Sequence, residues 1–485
     1  MEKNTGMSFV KNFFVLGIGT FIYLIVGVIG TPVITRLVDP TDYGRLSMFT
    51  VYSNIGMMFC GLGLDQTLVR WFYHDDSIDY KRKLVYECCA VPVILCVCVG
   101  ILMILAGSYA NGLGLMDYSR TELLLLVINV LVLLIHRYAI LVVRLRYHTK
   151  DYSVVNIIQK VAYILITVCL VGIFQDYYFI ILAVATILST LLCVVVAVLR
   201  EKEIWNFHHL KSDINISYKE LLNYGIPIMF SSGITMIFNA LDKLFINHYC
   251  TLADVGVYTS AMNLMAVFSI VRTSFNALWM PTAVEHYEKY SDDKEFYRRG
   301  NAFIVLLMVT FGAGVILFKD LFVLLLGNKY QEAAEIIPFL MFEPIMYTIS
   351  ETTATGIVVQ KKSKYQIIIA AGAFISNFIG NWILTPIMGP RGAALSTGVA
   401  YIVFFALRTF LANKVFYINY DLKKFAIVII ALFMFAYYGS VHVFSMEQIV
   451  MFAIVLMLLA LLYRDYFMET IQLAKGLFVK VFHRK

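Results

Sequence analysis

The sequence has few charged residues and no long hydrophilic stretch. Aspartate, glutamate, lysine and arginine make up 15% of its 485 residues, whereas 60% are hydrophobic. Soluble domains carry about 25% charged residues, so this composition excludes a soluble globular enzyme. The longest polar connections, near 200–219 and 282–300, cannot bury a core of their own, because an independent domain needs about 40–50 residues. The chain is therefore expected to form one integral membrane body.

The sequence also lacks the motifs of several common sites. None of its eight cysteines belongs to a Cys-x-x-Cys pair or to a cluster with histidines, so we expect neither a metal site nor a disulfide framework. It has no Gly-x-x-x-x-Gly-Lys-Ser/Thr loop, so we expect no ATP hydrolysis and no resident cofactor. The net charge of +7 does not indicate a nucleic-acid partner, because the basic residues are spread over many short connections between apolar segments.

About fourteen apolar segments follow one another along the chain, each near the ~20 residues that cross a bilayer as a helix. Lysine and arginine concentrate at both termini and on every second connection, as at Lys81–Lys83 and Lys361–Lys364. Short basic loops stay in the cytoplasm, so the alternation predicts an all-α integral membrane protein with both termini cytoplasmic. The segments lie near 13–35, 46–70, 84–106, 122–143, 153–174, 177–199, 221–248, 256–281, 301–326, 333–359, 366–388, 391–411, 424–443 and 446–463.

Short matches between the two halves of the sequence indicate an internal repeat. Asp42 and Asp254 stand in the same motif, Asp-x-Gly, after the first segment of each half, and Ser189 and Ser396 stand in the motif Leu-Ser-Thr near the end of each half. Both matches keep the same order and nearly the same offset, so we expect two parallel six-helix bundles followed by two additional helices and a basic cytoplasmic tail. The predicted parts are residues 1–210, 211–415 and 416–485.

Polar residues recur on one face of five predicted helices. A polar stripe on an apolar helix is expected to face protein or water, because its exposure to lipid is costly. These stripes predict a shared hydrated cavity between the halves, although Ser, Thr and Asn also serve as hydrogen bonds between helices. The stripe residues are Asn156 and Lys160 in the fifth segment; Ser231, Thr235, Asn239 and Asp242 in the seventh; Ser269, Arg272 and Asn276 in the eighth; Glu343 and Glu351 in the tenth; and Asn377 and Asn381 in the eleventh.

Arg272 and Lys160 are the deepest cations on these stripes, and they predict an anionic passenger. Phosphate suits such a site, because a guanidinium offers a fork of donors to its oxygens. Arg70, Arg137 and Arg408 lie near cytoplasmic helix ends. They are either interfacial anchors whose side chains reach toward water or further cavity groups, and Arg70 and Arg137 are kept as candidate substrate ligands.

Four carboxylates in the predicted helices are candidates for coupling transport to a proton or sodium gradient: Asp65, Asp242, Glu343 and Glu351. Asp65 has a second interpretation, as the structural partner of a cation on a neighbouring helix. Pro344 predicts a kink in the tenth segment, because proline removes a backbone donor from the helix.

Four motifs give the chain a resemblance to a known family. They are TRLVDPTDYG at 35–44, GLGLD at 61–65, LDKLFINHYCTLADVGVYTSAMNL at 241–264 and RGAALST at 391–397. In these motifs and in its helix count the chain resembles the oligosaccharide-lipid flippases of bacterial polysaccharide export (Wzx-like). That family belongs to the superfamily of multidrug, oligosaccharidyl-lipid and polysaccharide exporters, which also contains the lipid II flippase. The likeness extends over nearly the whole chain.

The resemblance implies two six-helix bundles around a central cationic cavity in the bacterial cytoplasmic membrane. The passenger would be an undecaprenyl-pyrophosphate-linked oligosaccharide for O antigen, capsule or exopolysaccharide, turned to the external leaflet by alternating access. Its pyrophosphate would meet Arg272 or Lys160. The implied partners are this lipid-linked substrate, membrane lipids, and a polysaccharide polymerase with other assembly proteins. In relatives such as the lipid II flippase, cavity arginines also come from helices 1 and 2. In this chain, helix 1 contains a single arginine, Arg36, which lies near its external end.

Two other functions remain open at the level of sequence. A cation-coupled multidrug exporter of the same superfamily would use acidic cavity residues, which Asp242, Glu343 and Glu351 could supply. A membrane-embedded glycosyltransferase or polymerase would need catalytic acids or bases on a large external loop. The longest predicted external loop, near 107–121, offers one acid, Asp117. We therefore expect a transporter and not an enzyme.

Overall fold

The computed structural model describes residues 2–106, 118–207 and 217–468, where the chain forms nineteen α-helices and no β-strand. Asp117 with most of its predicted loop, and the basic tail after residue 468, lie outside these ranges. The helices are α1 (Glu2–Leu37), α2 (Pro40–Gly61), α3 (Leu64–Trp71), α4 (Ile78–Leu105), α5 (Arg120–Leu145), α6 (Thr149–Ile173), α7 (Tyr178–Arg200), α8 (Tyr218–Tyr249), α9 (Leu252–Met265), α10 (Ser269–Lys289), α11 (Lys294–Leu317), α12 (Lys319–Val323), α13 (Ala333–Leu340), α14 (Phe342–Thr353), α15 (Thr355–Val359), α16 (Lys364–Met388), α17 (Pro390–Val415), α18 (Leu422–Val441) and α19 (Met446–Leu462).

Most of these helices match the requirements of a membrane span. Over the described residues, twelve helical stretches are long and apolar enough to cross a membrane, and the bent pair α2–α3 makes a thirteenth, judged by length and composition. The last helix, α19, is a shorter apolar helix of 17 residues. Each predicted segment falls on one or more of the helices. The prediction of an all-α membrane protein is confirmed.

Two predicted segments are built from several helices. The eighth segment runs through α9, a 3₁₀ turn at Ala266–Phe268 and α10. The tenth is divided among α13, α14 and α15. Pro344 has no N–H to donate to the carbonyl of Leu340, and α13 ends at that residue. The break at Met341 therefore lies where the proline predicts a kink.

By its contacts the chain divides into two compact units, Met1–Leu244 and Phe245–Lys485, which we call unit 1 and unit 2. The division falls near the end of α8. The predicted boundary at 210/211 lies in a stretch outside the described residues, and the three predicted parts stay a prediction. In unit 1, α1 packs along α6, and α5 packs against α2, α4 and α7. In unit 2, α14 packs against α10, α11 and α17.

The motif GLGLD at 61–65 forms the bend between α2 and α3. Leu62 and Gly63 both adopt left-handed backbone conformations, with φ of 52° and 69°, and the two helices meet at an angle of 54°. A Cβ atom on Gly63 would overlap the backbone carbonyl of Gly225 in α8. Next to this contact, the Thr67 hydroxyl donates a hydrogen bond to the Leu221 carbonyl at 3.1 Å. The glycine thus brings α3 against α8 and fixes Asp65 in the first turn of α3.

We expect Gly63→Ala to destabilise unit 1 by about 2–5 kcal/mol, because the change adds both left-handed strain and a backbone overlap. Gly61→Ala is the matched control, since a Cβ there meets Leu134 at an ordinary distance of 3.7 Å. Thermal unfolding of both purified variants in detergent checks the prediction. Equal melting temperatures for the two variants would contradict it.

Candidate functional site

A partly exposed ion pair forms the first charged centre, in unit 1. Arg137 on α5 donates from Nε to Oδ2 of Asp65 at 3.0 Å, and its Nη2 lies 2.9 Å from the same oxygen. Gln66 donates to that oxygen at 2.8 Å. The side chain of Arg137 is 53% exposed and that of Asp65 is 19% exposed. The interpretation of Asp65 as the partner of a cation on a neighbouring helix therefore describes its contact in the structure.

A cavity of about 350 Å³ opens beside this pair and lies wholly within unit 1. Its size falls in the range of small-molecule pockets, about 300–1,000 Å³. Residues of α2, α3, α5 and α8 line it. The lining residues with polar side chains are Asp65, Gln66, Arg137, Tyr138, Ser232, Thr235 and Asn239. Four methionines, Met57, Met58, Met229 and Met236, form much of the apolar lining.

The structure joins some of the predicted stripe residues and separates others. Thr235 and Asn239 line the cavity, and so does Ser232, which was not among the predicted residues. Ser232, Thr235 and Asn239 are spaced i, i+3 and i+7 along α8, so the sequence pattern could have identified Ser232. Ser231 is exposed on α8, and its carbonyl accepts a hydrogen bond from Thr235 at 3.4 Å. Asn156 donates to the carbonyl of Tyr152 in its own helix at 2.8 Å.

Two further cations of unit 1 have no carboxylate within 4.0 Å among the described residues. Lys160 on α6 is half-buried, and its ammonium lies 5.4 Å from the centre of the Tyr23 ring on α1. A Cβ on Gly27 would lie at an ordinary contact distance of 3.8 Å from Cε of Lys160, so the lysine stem passes close to α1. Arg70 is exposed in the last turn of α3, with its guanidinium 5.9 Å from the Trp71 ring centre.

The second charged centre lies in unit 2, where Arg272 of α10 meets α14. Nη1 of Arg272 donates to Oε1 of Glu343 at 3.3 Å, and the guanidinium carbon lies 4.7 Å from the centre of the Tyr347 ring. Glu343 and Tyr347 share one face of α14 because they are one helical turn apart. The side chains of Arg272 and Glu343 are 27% and 34% exposed. This guanidinium is therefore accessible and held by a carboxylate and a ring.

A buried ion pair supports this centre from within unit 2. Nη1 of Arg408 on α17 donates to Oε1 of Glu351 and to Oγ of Ser350, both at 2.8 Å. The Arg408 and Glu351 side chains are 7% and 2% exposed. The Arg408 guanidinium also lies 5.6 Å from the Tyr347 ring centre and 5.5 Å from that of Phe404. Arg408 is therefore not the interfacial anchor that its position suggested, because a carboxylate on α14 compensates its charge inside the protein.

The remaining predicted polar residues are either partly exposed or enclosed between helices. Ser269 and Asn276 are half-buried on α10. Asn377 and Asn381 are 2% and 0% exposed and bond to Ser396 and Thr397 of α17. These two amides are enclosed between α16 and α17, so the alternative of hydrogen bonds between helices describes them better than a cavity lining. Asp242, at the end of unit 1, is buried in α8.

The apolar helices of the described residues define a multi-pass membrane protein. Its structure is similar to the lipid II flippase MurJ in an inward closed conformation, with a TM-score of 0.66 and 15% identity over 93% of this chain and 99% of that chain. It is also similar to an inward-facing multidrug resistance MATE family transporter, with a TM-score of 0.53 and 14% identity over 82% and 94% of the two chains. These likenesses establish the fold.

The family follows from the sequence comparison. The model of the polysaccharide biosynthesis protein family matches residues 33–335, and the chain belongs to that family. An uncharacterized membrane protein of Methanocaldococcus jannaschii is 23% identical over 420 residues, which are 80% of this chain and 81% of the relative. The resemblance to polysaccharide exporters that the motifs indicated is thereby confirmed at the level of family and fold.

Proposed function

We propose that the protein is a flippase that turns a polyprenyl-pyrophosphate-linked oligosaccharide from the cytoplasmic to the external leaflet by alternating access. Its product would enter a cell-surface polysaccharide such as O antigen, capsule or exopolysaccharide. The family and the MurJ-like fold support a membrane flippase. The substrate is inferred from the charges in the spans, and the direction from the resemblance to the polysaccharide exporters.

The observation that carries the substrate assignment is the uncompensated cation at Lys160. A charged group at membrane depth is costly unless a counterion meets it. Lys160 has an aromatic neighbour and, among the described residues, no carboxylate within 4.0 Å. A diphosphate supplies the missing negative charge. In unit 2, Arg272 is the alternative phosphate ligand, because its guanidinium is oriented by Glu343 and Tyr347 and can exchange its carboxylate partner for the substrate.

The remaining assignments follow from this proposal. The protein would lie in the bacterial cytoplasmic membrane with both termini cytoplasmic, and it would act beside a polysaccharide polymerase without catalysing a reaction itself. A proton or sodium gradient would supply the energy. Among the ion-coupling candidates, Asp65 and Glu343 belong to partly exposed pairs, and Asp242 is buried. Glu351 is the weakest candidate, because its Arg408 pair is closed to solvent.

We expect Lys160→Ala to reduce export by about tenfold or more, since it removes a charged contact to phosphate. Mass spectrometry of lipids from source cells, combined with a sidedness assay, should show the complete lipid-linked oligosaccharide accumulating on the cytoplasmic leaflet. Lys150→Ala is the matched control, because Lys150 is exposed near the start of the same helix. Unchanged sidedness in the Lys160 variant would remove this residue from the phosphate site.

The same experiment on cells without the gene separates the alternatives. An oligosaccharide that still reaches the outside, with normal surface polymer, would contradict the flippase and favour the multidrug exporter, for which the Asp65 carboxylate in the unit 1 cavity could receive an organic cation. A truncated oligosaccharide would favour a glycosyltransferase or polymerase.

A further inference from the structure

The unit 1 cavity differs from a phosphate site in its charge. Its lining contains one carboxylate and one guanidinium, from Asp65 and Arg137, and these two groups compensate each other at 2.9–3.0 Å. Among the described residues no other charged side chain lines it. A diphosphate entering here would have to compete with Asp65 for the Arg137 guanidinium. The cavity therefore suits a part of the ligand that is polar but uncharged.

Free hydrogen-bonding capacity remains around this pair. The arginine and Gln66 are bonded to Oδ2 of Asp65, while Oδ1 of Asp65 and Nη1 of Arg137 have no hydrogen bond within the described chain. The side chains of Ser232 and Asn239 are exposed on the cavity and are likewise without a hydrogen-bond partner there. An acceptor, a donor, a hydroxyl and an amide thus line one cavity, and the several hydroxyls of a sugar, each of which both donates and accepts, can bond to them.

Methionines of the same lining supply apolar contact. Met57 and Met58 come from α2, and Met229 and Met236 come from α8. Unbranched thioether side chains adapt to surfaces of different shape and are frequent where a protein accepts several related ligands. A sugar ring has apolar C–H faces and a hydroxylated rim, so it can contact methionines and polar groups in the same cavity.

We propose that this cavity is the saccharide subsite of the transporter and that it admits uncharged sugars in preference to uronic acids. This inference rests on the proposed function and extends it to the class of sugar. The carboxylate of a uronic acid would stand beside Asp65, whose own countercharge is already engaged, and would meet repulsion. A hydroxyl at the same place would accept from Arg137 and donate to Asp65 without a net charge.

The test uses the purified full-length protein in liposomes with two probes. Both are undecaprenyl pyrophosphates, one carrying a single N-acetylglucosamine and the other a single glucuronate. Externally added periodate, which does not cross the membrane, oxidises the vicinal diol of whichever probe reaches the outer leaflet. We expect the wild type to move the neutral probe about tenfold faster than the acidic probe.

Two substitutions should shift this preference in opposite directions. Asp65→Asn leaves Arg137 free to pair with the glucuronate, so the neutral-to-acidic rate ratio should fall by about tenfold. Arg137→Gln leaves Asp65 uncompensated, so the ratio should rise. Asn239→Ala, which leaves the ion pair intact, should slow the neutral probe. Asp76→Asn is the matched control, because the Asp76 side chain is 98% exposed and outside the cavity.

Three outcomes are decisive. Opposite shifts for the two substitutions support the saccharide subsite, because loss of folding would slow both probes together. A ratio that stays the same in both variants, while both probes still move, overturns the subsite and leaves the proposed function standing. If the wild type moves neither probe under an imposed proton or sodium gradient, the proposed function fails and the subsite fails with it.

Discussion

Replacing Arg272 by alanine is expected to abolish export while leaving membrane insertion intact. The side chain is 27% exposed and its guanidinium is presented by Glu343 and Tyr347, so its loss removes the fork that would hold a phosphate. It also leaves Glu343 without this cation, and the residual carboxylate would repel the substrate. Two charge-assisted hydrogen bonds are worth about 3–6 kcal/mol, so flipping should fall about a hundredfold or more. The sidedness assay measures the loss, and a protease-accessible tag measures insertion.

Three variants complete this experiment. Arg272→Lys should retain partial activity, because it keeps the charge and loses the bidentate geometry. Arg299→Ala is the matched control, since that arginine is 58% exposed on α11 and belongs to a surface pair with Glu295. Glu343→Gln should retain more activity than Arg272→Ala if the carboxylate only holds the arginine in place. Normal polymer production by the Arg272→Ala variant would exclude Arg272 from the site.

The largest expected effect on stability comes from breaking the buried pair of Arg408 and Glu351. Either Arg408→Ala or Glu351→Ala should destabilise the protein by about 3–5 kcal/mol, because each leaves an uncompensated charge in an environment that is 2–7% exposed. Removing both charges together, as Arg408→Met with Glu351→Leu, should cost much less than the sum. Thermal unfolding in detergent gives the double-mutant cycle that checks this.

The control for this cycle is an exposed pair of the same charge type. Lys289 and Glu285 lie on α10 with side chains 61% and 65% exposed. Such a pair contributes about 0–1 kcal/mol, so its single and double alanine variants should melt near the wild type. Additive effects at Arg408 and Glu351 would show that the two charges act independently, in conflict with their 2.8 Å contact.

The sequence was sufficient for the spans and for the class of fold. Apolar segments of bilayer length separated by alternating basic loops predict helices and their number within one or two, because both features are local. The kink at Pro344 is equally local, since it depends on one missing N–H. The bend at GLGLD depends less on local sequence. Gly63 has no room for a side chain because Gly225 of another helix lies against it, and the sequence does not show that contact.

The pairing of charges could not be predicted, because it depends on which helices become neighbours. Asp65 meets Arg137 across 72 positions of sequence, and Glu351 meets Arg408 across 57. The polar stripes did not distinguish an open cavity from a closed helix contact. Asn239 and Asn381 have the same side chain on similar stripes, yet one is exposed on a cavity and the other is completely buried. Whether such a side chain lines a cavity or is buried between helices depends on how the adjacent helices pack.

The ring of Tyr347 touches two guanidinium groups, one of them open and the other enclosed. Through this shared ring, the accessible Arg272 is connected to the buried Arg408 pair inside unit 2. We expect a change at Arg408 to shift this ring and, with it, the Arg272 guanidinium. If the protein acts as proposed, a variant of the interior would then lose transport although every group at the open centre is kept.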